Sequence, residues 1–351
     1  MKKKKDIKSA TSELTYKNYT PKAGDFDFLK NNETEVDKNY SSQNYWKDTL
    51  TRFFKNKMAV IALVVILIIV LLAIFGPMMN SYAYDEVNSS EANFAPRIPG
   101  LEWLPMFDGS EDVFGNKYEL TGKLDVYYWF GSDHLGRDIW TRTWQGTRIS
   151  LIISLFAVAI DMVIGMSYGL ISGFFGGKVD SIMSRFEEII NSIPTLVIVT
   201  LLMMVLKPGL GTIIVALMIT GWIGMSRISR AQMFKLKEQE FVLVSRTLGA
   251  GNMRLIFKDI LPNIIGQLIT NTMFSIPNAI FTEAFLSFVG LGIPAPEASL
   301  GSLISDAYSK SFLTHPYQIL PPLIVLGLLM LSFNILADGL RDALDPRLKQ
   351  V

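Results

Sequence analysis

The 351-residue sequence contains no cysteine. That excludes disulfides, thiolate metal sites, cysteine nucleophiles and lipoprotein-type acylation at one stroke. Histidine is nearly absent too: His134 and His315 are the 2 present, too few for a histidine-rich metal centre. Neither sign of charge prevails, with 33 Lys and Arg against 32 Asp and Glu and a formal net charge of +1. The basic footprint of a nucleic-acid binder is therefore missing. Nucleotide chemistry is missing as well. GFFGGKVD at 173–180 has the look of a phosphate loop, but Ser172 stands where its first glycine belongs and Val179 where the magnesium-binding Ser or Thr belongs. Gly173, Gly176 and Gly177 then read as a tight turn. With no HExxH and no GxSxG, the chain is expected to be non-catalytic and to bind no metal, no cofactor and no ATP itself.

What the sequence has in abundance is apolar length: 50% of its residues are hydrophobic and long runs lack charge. Spans of 58–78, 149–171, 184–206, 208–227, 263–292 and 317–338 are expected, an all-α polytopic membrane protein with six transmembrane helices. Residues 1–50 begin MKKKK, stay polar and lack the apolar region of a signal peptide, so a flexible tail is expected. Lys47, Arg52, Lys55 and Lys57 precede the first span, which puts the N-terminus in the cytoplasm by the positive-inside bias. Residues 79–145 then lie outside, rich in acids and carrying Pro96, Pro99 and Pro105, and are expected to form a small external subdomain. The same count places 236–261 and 342–351 in the cytoplasm, with Arg246, Arg254, Lys258, Arg341 and Arg347 in agreement.

Two carboxylates fall inside spans. Asp161 and Glu283 must each face the bundle interior, a water-filled path or a partner, because a charge at a helix centre costs about 2.5–3.5 kcal/mol on insertion scales. Pro194 and Pro277 are expected to kink their helices. Gly165, Gly169 and Gly173 carry the small-xxx-small spacing that lets helices approach closely.

The polar stretch Glu240–Asn263 still carries helical stripes. Met253, Ile256, Phe257 and Ile260 share one helix face, and Phe241, Val244 and Leu248 make a shorter stripe that stops at Gly249. Gly249-Ala250-Gly251 reads as a C-cap and turn, and Pro262 sits where proline costs least, at the start of the next helix. The spacing fits a docking knob for a soluble partner and equally an ordinary amphipathic loop.

The same stretch resembles the EAA motif of ATP-binding-cassette importer permeases. Glu240, Gly249 and Leu261-Pro262-Asn263 keep the pattern, while Leu243-Val244-Ser245 replace its EAA triplet. FGSDHLGRDIWTR at 130–142, EAFLSFVGLGIPAPEASLGSLISDA at 283–307 and FNILADGLRDALDPRL at 333–348 are similar to the C-type subunits of the peptide and nickel branch. The likeness runs from Phe130 to the end, about two-thirds of the chain.

The resemblance implies the type I importer permease fold, with a permease core over 146–341. It implies a cytoplasmic coupling helix in 236–261, in which Glu240, Phe241, Val244, Ser245, Gly249, Leu261 and Pro262 meet an ATPase subunit. Asp161 and Glu283 become candidates for the translocation path or for intramembrane polar contacts. Implied partners are a homologous permease subunit, two ATPase subunits that hold ATP and magnesium, an external peptide-binding protein and the bilayer of a bacterial cell membrane. The implied cargo is oligopeptides, with dipeptides or nickel as the alternative. An ion-gradient-driven secondary transporter is the reading from another class. It accounts for the buried carboxylates, but the spans show no inverted repeat and the docking stretch is left without a use.

Overall fold

The computed structural model describes residues 45–111 and 114–344. The tail expected over 1–50 lies outside them up to residue 44, and so does the C-terminal segment after residue 344.

Helices dominate, in the order the apolar runs dictate. An amphipathic helix α1 (Tyr45–Lys55) turns at Asn56 into α2 (Lys57–Phe75), whose N-terminus is capped by the Asn56 side chain accepting from the Ala59 amide. A long connection follows, holding the antiparallel pair β1 (Ser110–Glu111) and β2 (Gly115–Asn116) and the short helix α3 (Lys117–Leu120). Next come α4 (Ile139–Ile160), a π-helical turn at Asp161–Gly165 and α5 (Met166–Phe175), which together make one 37-residue helical run. Then α6 (Gly177–Asn191), α7 (Thr195–Leu206), α8 (Leu210–Thr220) and α9 (Ile223–Leu236) lead into the polar stretch. That stretch holds α10 (Glu240–Thr247), α11 (Asn252–Arg254) and a π-helical turn at Leu255–Ile260, and continues as α12 (Leu261–Leu286). A final π turn at Ser287–Leu291, α13 (Leu300–Lys310) and α14 (Leu320–Leu344) complete the described chain.

Among the described residues, 5 helical runs are long and apolar enough to cross a membrane: Lys57–Met78, Ile139–Phe175, Leu210–Leu236, Asn252–Leu291 and Pro316–Leu344. A sixth run of sufficient length and apolarity is reached only by counting α6 and α7 together, and these meet at a 74° bend. The apolar run over 184–206 is thus broken rather than straight. Pro194 explains the break: it lacks the amide that a continuous helix needs there, and its ring disfavours helical backbone at Ile193. Pro277 behaves differently, since α12 stays helical through it.

The second run begins at Ile139, well before the apolar stretch does. Asp138 caps it, its carboxylate accepting from the Thr141 amide at 2.8 Å. The polar first turns are covered by protein: the Arg142 guanidinium is 2% exposed and donates to the Tyr84 carbonyl at 3.0 Å and the Pro296 carbonyl at 3.3 Å. A charge held by tertiary contacts prolongs the helix where a hydropathy reading stops.

Two apolar clusters hold the bundle. One joins α2, α4, α12 and α14 through Ile66, Ile69, Trp144, Ile280, Leu329 and Phe333. The other joins α5, α9 and the polar stretch through Leu170, Met233, Val242, Leu255, Ile256 and Ile260. The α5–α9 pair packs tightly because Gly169 has no side chain: a Cβ there would stand 2.0 Å from the Ser226 carbonyl oxygen.

The segment between the first two runs folds on a core of its own, Phe94, Tyr118 and Tyr128. Glu91 is its polar centre, accepting from the Tyr128 hydroxyl and from the Lys123 ammonium, each at 2.5 Å. It is pinned across the chain by Gln318, which donates to Asn93 at 2.8 Å, and by His315 against Glu111 at 2.8 Å.

Candidate functional site

α10 meets the bundle through Val242, which inserts, and through Arg246, whose guanidinium lies 5.7 Å from the centre of the Phe174 ring of α5. Val242 is fully buried, packed with Leu255, Ile256 and Ile260. The stripe Phe241, Val244, Leu248 points the other way, with exposures of 41%, 59% and 82%. The periodicity is real, but it marks an outward face instead of a core face. The second stripe divides: Ile256 and Ile260 are buried, whereas Met253 and Phe257 are 57% and 38% exposed. The inward face there is Leu255, Ile256 and Ile260, carried on past Pro262 by Ile264.

The end of α10 is a Schellman motif. Gly249 has φ +87°, its amide donates to the Arg246 carbonyl at 3.0 Å, and the Ala250 amide reaches the Ser245 carbonyl at 3.1 Å. A Cβ at Gly249 would meet nothing within 4 Å, so glycine is required by the backbone and not by space. The π turn before α12 follows from Pro262. A proline ring crowds the carbonyl four residues back, and the helix widens so that the Leu261 amide bonds Ile256, five residues back. Glu240 is exposed at the start of α10, Ser245 is half-buried, Leu261 packs on the second cluster, and Pro262 is exposed at the first turn of α12. The seven residues therefore share one element but not one surface.

The two intramembrane carboxylates part company. Glu283 is fully buried and satisfied by hydroxyls: Ser150 donates to it at 2.9 Å and Ser287 at 2.7 Å. It is a clamp between α4 and the end of α12. Asp161 sits on the π turn, 5% exposed, against a cavity of about 510 Å³. Asn191, Thr195, Asn271, Ser275 and Asn278 are among the residues lining that cavity, and no cation is. The bend between α6 and α7 brings Asn191 and Thr195 to its wall.

Other buried polar contacts had no signal in local spacing. Asp180 accepts from Ser172 at 2.6 Å and from both Arg230 Nε and, at 2.5 Å, Arg230 Nη2. Glu187 accepts from Ser226. These pairs lie 50 and 39 residues apart, so only the fold brings them together. The FGSDHLGRDIWTR stretch forms a tight turn: Asp133 accepts from the amides of Leu135 and Arg137 and from the Arg137 guanidinium at 2.7 Å. Lys310 of α13 closes on this turn, 3.2 Å from His134 and 3.0 Å from Asp306.

A helical protein of several membrane crossings, with a stiff apolar knob at one end and a polar cavity among its helices, has the build of a membrane transport component. Residues 165–350 match the family model described as binding-protein-dependent transport system inner membrane component. Residues 44–96 match the N-terminal TM domain of oligopeptide transport permease C. The oligopeptide transport system permease protein OppC of Bacillus subtilis is 44% identical over 88% of this chain and 92% of its own length. The dipeptide transport system permease protein DppC of the same organism is 41% identical over 92% of this chain and 91% of its own. Escherichia coli OppC is 34% identical over 91% of this chain and 99% of its own. The chain belongs to the binding-protein-dependent transport system inner membrane component family, alongside the C-type oligopeptide and dipeptide permeases.

Proposed function

We propose that this chain is the transmembrane permease subunit of an ATP-driven peptide importer, and that Glu240–Pro262 is the element through which ATPase subunits move it. The observation that carries the coupling role is the outward apolar face of α10. Phe241, Val244 and Leu248 are exposed in the midst of a polar segment, and burial in a partner's groove recovers their cost of hydration. The Schellman turn and the Val242 anchor make α10 stiff, so a push on it reaches α12 through the π turn. Arg246, Arg254 and Lys258 put this end of the bundle in the cytoplasm with both termini, by the positive-inside bias. The folded 79–145 segment then faces outward, where a peptide-binding protein delivers cargo.

The polar cavity beside Asp161 is this chain's half of the pathway, and a homologous permease subunit supplies the other half. Glu283 holds the bundle together and is not part of that path. Two ATPase subunits bind the ATP and magnesium, and this chain performs no catalysis. Oligopeptides are the preferred cargo, in keeping with the similarity to Bacillus subtilis OppC. Dipeptides are the second reading, favoured by the nearly equal similarity to DppC.

The test is uptake by liposomes holding this chain, its partner permease and two ATPases, with the binding protein outside. ATP-dependent accumulation of tri- to pentapeptides is expected. Accumulation of dipeptides alone transfers the assignment to the second reading, and accumulation without ATP but with an ion gradient overturns both.

A further inference from the structure

We propose that Asp161 is a subsite for the cationic amino terminus of the passing peptide, so that the permease itself discriminates in favour of a free α-amino group. The inference rests on the peptide-importer reading and adds a recognition step inside the membrane. Its basis is the make-up of the cavity. Asp161 is the charged group on a wall of neutral side chains, polar (Asn191, Asn271, Asn278) and apolar (Leu217, Ile228, Phe274) together, and the lining holds no Lys, Arg or His to pair with it. The Ser275 hydroxyl of α12 lies beside the carboxyl on the same wall, and one hydroxyl fills only one of a carboxylate's several acceptor sites.

The rest of the lining suits a peptide of any sequence. Asn191 comes from the end of α6 and Asn271 and Asn278 from turns along one face of α12, and each amide side chain can both donate and accept hydrogen bonds. Such a set matches the paired donor and acceptor of peptide groups without selecting side chains. A volume of about 510 Å³ lies within the range of sites that enclose small ligands. The group common to all unblocked peptides that a lone carboxylate recognises is the α-ammonium, through a charge-assisted hydrogen bond.

The position of Asp161 is built and not incidental. The π-helical turn at Asp161–Gly165 gives the helix an extra residue per turn at this point, and π bulges gather at functional sites. Glu283 provides the contrast: an intramembrane carboxylate already saturated by serine hydroxyls has nothing left for a ligand.

The experiment uses the assembled permease–ATPase complex in liposomes, without binding protein, photolabelled by a benzophenone-bearing tripeptide with a free amino terminus. Trialanine and N-acetyl-trialanine are the competitors. In the native complex trialanine is expected to compete at least about ten-fold better, one charge-assisted contact being worth roughly a factor of ten or more. In Asp161→Asn that preference is expected to vanish while labelling persists, and Asp161→Glu is expected to restore part of it. A preference undiminished in Asp161→Asn, or equal competition in the native complex, overturns the proposal. Should Asp161→Asn fail to assemble, Ser275→Ala and Asp161→Glu carry the test: a preference unchanged in both overturns it, and a reduced one supports it. Failure of the importer reading is separately visible, because it abolishes ATP-driven peptide uptake by the native complex with its binding protein.

Discussion

At the scale of single residues, Gly249 and Glu283 carry opposite kinds of constraint. Gly249 needs its positive φ and nothing else, since a Cβ there touches nothing. Gly249→Val is therefore expected to cost about 1–2 kcal/mol, all of it in the geometry of the turn. The subunit should insert normally while peptide-stimulated ATP hydrolysis and uptake separate; both remaining at native levels would refute a mechanical role for the turn. Glu283→Ala should act on stability instead. It strands the buried Ser150 hydroxyl and leaves Ser287 with Ser299 alone, at about 1–3 kcal/mol for a buried unsatisfied group, and a thermal unfolding scan of the purified subunit should register the loss. An unchanged scan would remove Glu283 from the role of clamp.

His134 adds a pH dependence. Burial holds its imidazole below the ordinary value, and the neighbouring Lys310 and Arg137 push the same way against Asp133 and Asp306. The folded form therefore takes up a proton less readily than the unfolded form, so stability is full above about pH 6.5 and falls as the pH drops through and below it. Hydrogen exchange in 300–310, after correction for the intrinsic pH dependence of amide exchange, should quicken between pH 7.5 and 5.5 in the native chain and change little in His134→Asn. Equal quickening in both would acquit His134.

At the scale of elements, the lesson concerns which face a stripe occupies. Spacing alone located α10 and its end at Gly249, because a Schellman turn leaves a glycine at a fixed place. It could not say that Phe241, Val244 and Leu248 look outward, since a docking face and a core face have the same period. The anchor, Val242, lies outside that stripe and becomes visible only when α12 folds back over it. Helix extents failed for a related reason. The run at Ile139–Phe175 starts before its apolar stretch because Arg142 finds backbone carbonyls 58 and 154 residues away in sequence. The broken α6–α7 crossing was legible at Pro194, yet the size of the bend comes from packing. The two membrane carboxylates were found readily by charge, but their separation into a saturated clamp and an open acceptor depended on serines contributed by other elements.

At the scale of the whole molecule, the described chain is a bundle stiffened by two apolar clusters, one of which runs directly into the α10 element. Leu255, Ile256 and Ile260 belong to that cluster together with Leu170 of α5 and Met233 of α9. The cluster thus ties α10 to α5, α9 and α12, and the last two line the cavity themselves. In the proposed importer this continuity is what links an ATPase docked on α10 to the cavity beside Asp161.

The absence of cysteine provides the most direct test of that coupling, because a single introduced thiol is unique. In Leu248→Cys, assembled with ATPase subunits that carry one cysteine introduced in the facing groove and oxidised with copper phenanthroline, the two thiols are expected to form a disulfide; before oxidation the thiol at 248 is expected to be shielded from a bulky maleimide, and uptake is expected to be blocked by the disulfide and restored on its reduction. Free maleimide labelling of Cys-substituted position 248 in an assembled, transporting complex, with no cross-link formed, would contradict the account.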